Sequence, residues 1–144
     1  MDRFETFSLA LFNMSRYWNR LAAEEMEKYG LKGAHAFYLV TVLRHDGDVT
    51  ASQLCELCGK DKADVSRAVT KMAEIGLLER VGSNPYRAKL KLTEQGIAAA
   101  QAVRETAQTI VDRGGGDLTA ENRAVFYEVL ASVTANLEKL CKEI

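Results

Sequence analysis

Hydrophobic residues recur every three or four positions along most of this chain, which is the spacing of an amphipathic α-helix. This pattern predicts helices over residues 3–29, 34–45, 50–58, 61–75, 93–113 and 119–143. Between them, residues 77–81 and 88–92 read as two short strands, the second alternating as KLKL. The predicted order is therefore a long helix, three shorter helices, a hairpin and two long helices. This is a mainly α fold of the α+β class.

The short helix over 50–58 is predicted from its first residues. Thr50 stands three residues before Gln53, which is the arrangement of a capping box at a helix N-terminus. The inner face of this helix is expected to hold Leu54, Leu57 and Cys58. In the same way, Thr93 and Thr119 are expected to cap the two long helices that follow the hairpin.

The helix over 61–75 has two faces of opposite character. One face is an apolar stripe of Val65, Val69, Met72 and Ile75. The other face places basic side chains around short hydroxyls: Lys62, Ser66, Arg67, Thr70 and Lys71. Short side chains allow a helix to approach closely, and hydroxyl, Lys and Arg groups donate to phosphates and base edges. A solvated face is the plainer interpretation, but this composition suits entry into a DNA major groove about 12 Å wide.

Two neighbouring segments strengthen the DNA-binding interpretation. Thr50, Ser52 and Gln53 offer hydroxyls and free backbone N–H groups that suit a phosphate at a helix N-terminus. The wing supplies Arg87, Lys89 and Lys91, which suit the backbone or minor groove beside that helix. Together these segments have the order of a helix-turn-helix followed by a wing.

Charge and composition agree with this interpretation. The whole chain has a net charge of −1, but residues 50–93 carry eight Lys/Arg and five Asp/Glu, so basic charge is concentrated there. The single proline favours uninterrupted helices. No apolar run reaches the ~18 residues of a membrane span, and the N-terminus is acidic rather than signal-like. A soluble cytoplasmic protein with no membrane partner is therefore expected.

The run LCELCGKDKADVSRAVTKMAEIGLLER at residues 54–80, followed by LTEQG at 92–96, resembles the MarR (multiple antibiotic resistance regulator) family of bacterial transcription factors. The resemblance implies a single MarR-type domain over 1–144, with a winged helix-turn-helix lobe at 33–92 and a helical dimerisation region at 1–32 and 93–144. It further implies a homodimer without a cofactor that binds a pseudo-palindromic operator, most often as a repressor. A small-molecule effector would release the DNA.

The resemblance also assigns residues to the DNA contact. Ser66 and Arg67 match the hydroxyl–arginine pair of the family's recognition helix, and Lys62 and Lys71 match its basic flanks. Lys60, just before this helix, joins the candidate DNA contacts.

The wing departs from the family pattern. If Arg87 is the wing arginine, Pro85 stands where the family favours an acid, and Asn84 takes that place in an alternative alignment. The minor-groove role of Arg87 therefore lacks its usual support.

Several residues carry two interpretations. Tyr17, Trp18, Phe37 and Tyr38 suit either a pocket for an aromatic effector or ordinary core packing. Cys55 and Cys58 form C-x-x-C, which suits small apolar filling or a redox-responsive regulator. A zinc site is not expected, since His35 and His45 have no ligand spacing to these cysteines.

Enzyme chemistry is not expected either. The sequence shows no Ser-His-Asp set, no phosphate-binding glycine loop and no paired carboxylates in an apolar setting. The alternative from another functional class is a winged-helix protein-interaction module that does not bind DNA.

Overall fold

The helices and strands follow the predicted order. The computed structural model describes residues 1–59, 61–84 and 87–144. Within these residues the elements are α1 (Arg3–Met26), α2 (Ala36–His45), α3 (Ala51–Cys58), α4 (Lys62–Glu74), β1 (Leu78–Val81), β2 (Lys89–Leu92), α5 (Glu94–Gly114) and α6 (Ala120–Lys142). Short 3₁₀ turns, Glu27–Tyr29 and Gly33–His35, connect α1 to α2. The mainly α fold with a two-stranded wing is confirmed.

The predicted caps account for where the helices begin. Gln53 N donates to Thr50 Oγ1 at 3.1 Å and Thr50 N donates to Gln53 Oε1 at 2.9 Å, which completes the capping box of α3. Asp61 was not predicted as a cap, but it accepts from the backbone N of Ala63 at the start of α4. Thr119 caps α6 by accepting from Asn122 N at 3.1 Å. Because a helix leaves its first N–H groups without intrahelical partners, these side chains stabilise each start.

The hairpin packs against α2 and α4. β1 and β2 pair antiparallel with Leu78 opposite Leu92 and Val81 opposite Lys89, within one residue of the predicted strands. Leu90 N donates to Val49 O at 2.7 Å, which attaches β2 to the segment that leads into α3.

The start of α5 is packed against the end of the preceding turn. Thr93 Oγ1 donates to Gly76 O at 2.6 Å and accepts from Gly96 N at 3.0 Å. At Gly96 the helix passes so close to Leu77 that a Cβ would overlap the carbonyl oxygen of Leu77. Glycine is therefore required there by close approach.

The unit Met1–Gln108 contains the hydrophobic core. Tyr38 and Leu39 of α2, Leu54 of α3 and Met72 of α4 are fully buried. Ala99, Ala100 and Val103 of α5 close the same cluster. Burying a side chain of this size contributes about 1.5–3 kcal/mol, so the contacts between helices position α4 more firmly than its own helix propensity does.

The unit Thr109–Ile144 consists of the end of α5, a turn and α6. In the turn, Leu118 N donates to Gly115 O at 3.0 Å, and Arg123 Nη2 donates to the same oxygen at 2.8 Å. No residue of α6 is buried within this chain. Its exposed large apolar side chains are Val125, Phe126, Tyr127, Val129, Leu130, Leu137 and Leu140.

One prediction for the core is wrong. Leu57 was expected on the inner face of α3, but its side chain is 48% exposed. The stripe of α3 that packs inward consists of Ala51, Leu54, Cys55 and Cys58. With about 100° between successive residues, position 57 lies roughly a third of a turn from the centre of that stripe. Across the described residues, no helix is long and apolar enough to cross a membrane.

Candidate nucleic-acid interface

The structure places the predicted polar face of α4 on the surface. Lys62, Ser66, Arg67, Thr70 and Lys71 are all exposed. Val65, Ala68, Val69 and Met72 on the opposite side are at most 1% exposed. The buried stripe fixes the rotation of the helix about its axis, and the hydroxyl and basic side chains consequently form one continuous outer face.

Arg80 joins this face through an unforeseen contact. Its Nη2 donates to Thr70 Oγ1 at 3.2 Å, which connects β1 to the outer side of α4. The residues are ten positions apart, and the contact forms because the chain reverses at Gly76, where φ is +82°. The signal available in the sequence was the basic, acid-free run that begins at Arg80.

Asp64 lies behind the same face and was not predicted. Tyr38 Oη donates to Asp64 Oδ2 at 2.7 Å, and His35 Nε2 is 3.5 Å from Asp64 Oδ1. The hydrogen bond from Tyr38 is the main cause that holds the pKa of Asp64 below its ordinary value. Burial, together with this bond to a carboxylate, raises the pKa of Tyr38. The pair therefore consists of a carboxylate and a protonated phenol at neutral pH.

The N-terminus of α3 holds the candidate phosphate contacts. Ser52 is exposed in the first turn. Thr50 and Gln53 use their side-chain oxygens in the capping box. Their contact with phosphate stays a prediction that would use the remaining hydroxyl and amide donors.

The wing residues have separate surroundings. Arg87 is exposed, and its backbone N donates to Asn84 O at 3.1 Å. Lys89 Nζ is 2.9 Å from Asp48 Oδ1, and this ion pair lowers the pKa of Asp48. Lys91 is exposed. The predictions for Lys60 and for Pro85 fall outside the described residues.

The four aromatic residues predicted to line an effector pocket do not form a single buried cluster. Tyr38 is fully buried with its hydroxyl on Asp64, whereas its neighbour Phe37 is 50% exposed. Tyr17 and Trp18 of α1 are 53% and 38% exposed. Core packing thus accounts for Tyr38, and an effector contact by the other three stays a prediction.

An open depression of about 320 Å³ lies beside α4 instead. Its lining comprises Gly30, Leu31, Lys32, His35, Asp64, Arg67, Ala68 and Lys71.

Cys55 and Cys58 are half-buried and pack against the core, as small apolar filling would. A redox role for them stays a prediction.

Known proteins share this architecture. Residues 29–85 match the model of the MarR family. No curated protein matches the sequence significantly. Among solved structures, a MarR transcriptional regulator from Methanosarcina mazei Go1 is 21% identical with a TM-score of 0.86, and the match covers 97% of this chain and 94% of that one.

Two further structures share the fold. The MarR protein from Peptoclostridium difficile is 17% identical with a TM-score of 0.83, covering 92% of this chain and 88% of that one. The S. aureus MepR–DNA complex is 18% identical with a TM-score of 0.78, covering 94% and 99%. The segment that contains the helix-turn-helix therefore resembles the MarR family, and the chain shares the winged-helix fold of solved MarR transcriptional regulators over nearly its whole length.

Proposed function

We propose that this protein is a sequence-specific regulator of transcription that binds a pseudo-palindromic double-stranded DNA operator as a homodimer and acts as a repressor. The observation that carries this proposal is the outer face of α4, where Lys62, Ser66, Arg67, Thr70 and Lys71 are exposed together. A relative of the same fold, S. aureus MepR, has been solved in complex with DNA. The family is one of transcriptional regulators, which also supports the expectation that the protein is not an enzyme.

In this proposal α4 lies in the major groove. Arg67 reads a base edge, since a guanidinium can donate two parallel hydrogen bonds to guanine. Ser66 and Thr70 are short enough to let the helix backbone approach, and Lys62 and Lys71 meet phosphates on either side. The first turn of α3, with Ser52, contacts a further phosphate. Arg87 and Lys89 of the wing contact the adjacent backbone or minor groove.

The homodimer is supported by exposed apolar side chains on two helices. On α1 these are Phe4, Phe7, Leu9, Leu11, Phe12, Met14, Tyr17, Trp18 and Leu21. On α6 they include Val129, Leu130 and Leu137, which are 43–53% exposed. Apolar surface of this extent marks an interaction site, and a two-fold axis would present two copies of α4 to successive major grooves about 34 Å apart.

Regulation in this proposal is a shift between two dimer shapes. A small aromatic effector that binds only the shape with the wrong spacing between the two copies of α4 would release the operator. Tyr17, Trp18 and Phe37 are the proposed effector contacts.

The test begins with selection of bound duplexes from a randomised DNA library. Affinity for the selected duplex is then measured by fluorescence anisotropy between about 50 and about 200 mM salt. Specific binding should weaken steeply with salt as counterions are recaptured. Arg67→Ala should weaken it by about 1–3 kcal/mol, while Arg104→Ala, which removes an equal charge from the exposed side of α5, should leave it nearly unchanged.

The outcomes separate the functional classes. If the Arg67→Ala and Arg104→Ala proteins bind the selected duplex with equal affinity, the proposal that α4 contacts the bases is wrong. If no duplex is enriched and binding is absent even at low salt, the winged-helix protein-interaction module is the better interpretation. The redox-responsive alternative requires that oxidant lowers the number of titratable thiols at Cys55 and Cys58 and also changes the operator affinity. If both quantities stay unchanged, this alternative is excluded.

A further inference from the structure

Asp64 is an acid placed at the edge of the basic face of α4. It lies in the first turn of the helix, and its side chain is 24% exposed. An acid here is unfavourable for contact with DNA, because it repels the phosphates that Lys62 and Lys71 attract. Its position therefore needs a reason other than affinity for the DNA backbone.

The carboxylate is held from the core side by two residues that precede α4 in sequence. Tyr38 is 0% exposed and donates to Asp64 Oδ2 at 2.7 Å. His35 is 6% exposed, stacks on Tyr38 with ring centroids 5.4 Å apart, and has Nε2 3.5 Å from Asp64 Oδ1. Lys32 N donates to His35 Nδ1 at 3.4 Å, which places the ring hydrogen on Nε2, facing the carboxylate. Asp64 is therefore fixed in direction by a buried, hydrogen-bonded pair of rings.

On the solvent side, the same carboxylate oxygen faces Arg67. Arg67 Nη2 is 3.9 Å from Asp64 Oδ1, and the Arg67 side chain is 68% exposed. An exposed arginine in isolation samples many rotamers and must lose that freedom when it reads a base. A fixed carboxylate one turn away restricts those rotamers, and it does so from atoms that are themselves held by the core.

We infer that Asp64 is a positioning residue for DNA specificity: held by Tyr38 and His35, it orients Arg67 toward the base edge and repels phosphate from the same place. This inference rests on the proposed DNA-binding function. The carboxylate lowers affinity for arbitrary DNA by charge and raises affinity for the operator by orientation. Its effect is therefore on the ratio of the two affinities.

The test compares the selected operator with a scrambled duplex of equal length at about 0.15 M salt. Asp64→Asn keeps the size of the side chain and removes its charge. Affinity for the scrambled duplex should rise about two- to fivefold, and affinity for the operator should fall, so that the ratio decreases by about tenfold. Glu24→Gln, which removes an exposed acid from α1, is the matched control and should leave the ratio unchanged.

The double variant tests whether Asp64 acts through Arg67. In an Arg67→Ala background, Asp64→Asn should still raise non-specific affinity but should cause no further loss of the ratio. A general structural defect would instead lower operator affinity by the same factor in both backgrounds. Tyr38→Phe serves as a second variant that retains the carboxylate: it should lower the ratio with no rise in non-specific affinity, because only the anchor is lost.

Two results would overturn the inference. One is an unchanged ratio in the Asp64→Asn and Tyr38→Phe proteins; the other is an equal decrease with and without Arg67. The failure of the proposed function looks different, because the wild-type protein would then show no preference between the two duplexes at all. In that case both proposals are refuted together.

Discussion

Replacing Tyr38 with Phe removes one oxygen atom from the core and with it the 2.7 Å hydrogen bond to Asp64. The ring remains, so the packing of α2 against α4 is retained and the cavity created is smaller than a methyl group. A hydrogen bond to a charged group contributes about 1.5–3 kcal/mol to stability. Because the Asp64 side chain is 24% exposed, water replaces part of the lost bond. We expect the free energy of unfolding to decrease by about 1–2 kcal/mol near neutral pH.

The loss should depend on pH with a defined sign. The hydrogen bond from Tyr38 is the main cause that lowers the pKa of Asp64 in the folded protein. A carboxyl group whose pKa is lower in the folded than in the unfolded state contributes stability above the unfolded pKa, and that contribution disappears as pH falls through the folded pKa. The difference between wild type and Tyr38→Phe should therefore be largest above about pH 5 and should shrink below about pH 4.

Urea unfolding followed by circular dichroism at one protein concentration measures this difference. Tyr29→Phe is the matched control, since it removes the same oxygen from a partly buried ring that packs against the core. Equal unfolding free energies for the two variants at neutral pH would refute the energetic role of the Tyr38–Asp64 bond. A difference that persists undiminished at about pH 3 would refute the linkage to ionised Asp64.

Gly96→Ala should lower the free energy of unfolding by about 1–3 kcal/mol, because the added Cβ would overlap the carbonyl oxygen of Leu77. Gly114→Ala is the control: its added Cβ would meet open space, so stability should stay unchanged or rise by up to about 1 kcal/mol. Thr50→Ala should lower stability by about 1 kcal/mol through loss of the α3 cap, measured in the same urea titration; an unchanged midpoint would contradict the capping role. Val129→Lys on α6 should yield a folded monomer by light scattering, and a dimer of unaltered mass would contradict the proposed interface.

The parts of the fold that could be predicted are those set by local patterns. The helices were recognisable because a helix that covers a core must repeat its apolar residues at its own period, as Val65, Val69 and Met72 do. Their starts were recognisable because Thr50 and Thr119 satisfy backbone donors within three residues.

The contacts that escaped prediction join residues distant in sequence. Tyr38 and Asp64 are 26 positions apart, and Thr70 and Arg80 are 10 apart. Both contacts depend on how one element crosses another, which no periodicity within a single element specifies. Leu57 was misplaced for the related reason that tertiary packing sets the rotation of α3, and the face that packs inward contains Cys55 and excludes Leu57.

In the proposed function, stability and DNA reading are coupled because α4 serves both. A helix of 13 residues is marginal on its own, so its position depends on the buried stripe and on the Tyr38–Asp64 bond. A substitution that shifts the buried apolar stripe of α4 also moves Arg67, on the opposite face, by a similar distance. The substituted residue itself makes no contact with DNA. In the proposed homodimer the displacement would occur at both half-sites, so one substitution would lower operator affinity twice. Destabilising changes at Val69 or Met72 should consequently weaken operator binding more than their stability cost alone implies.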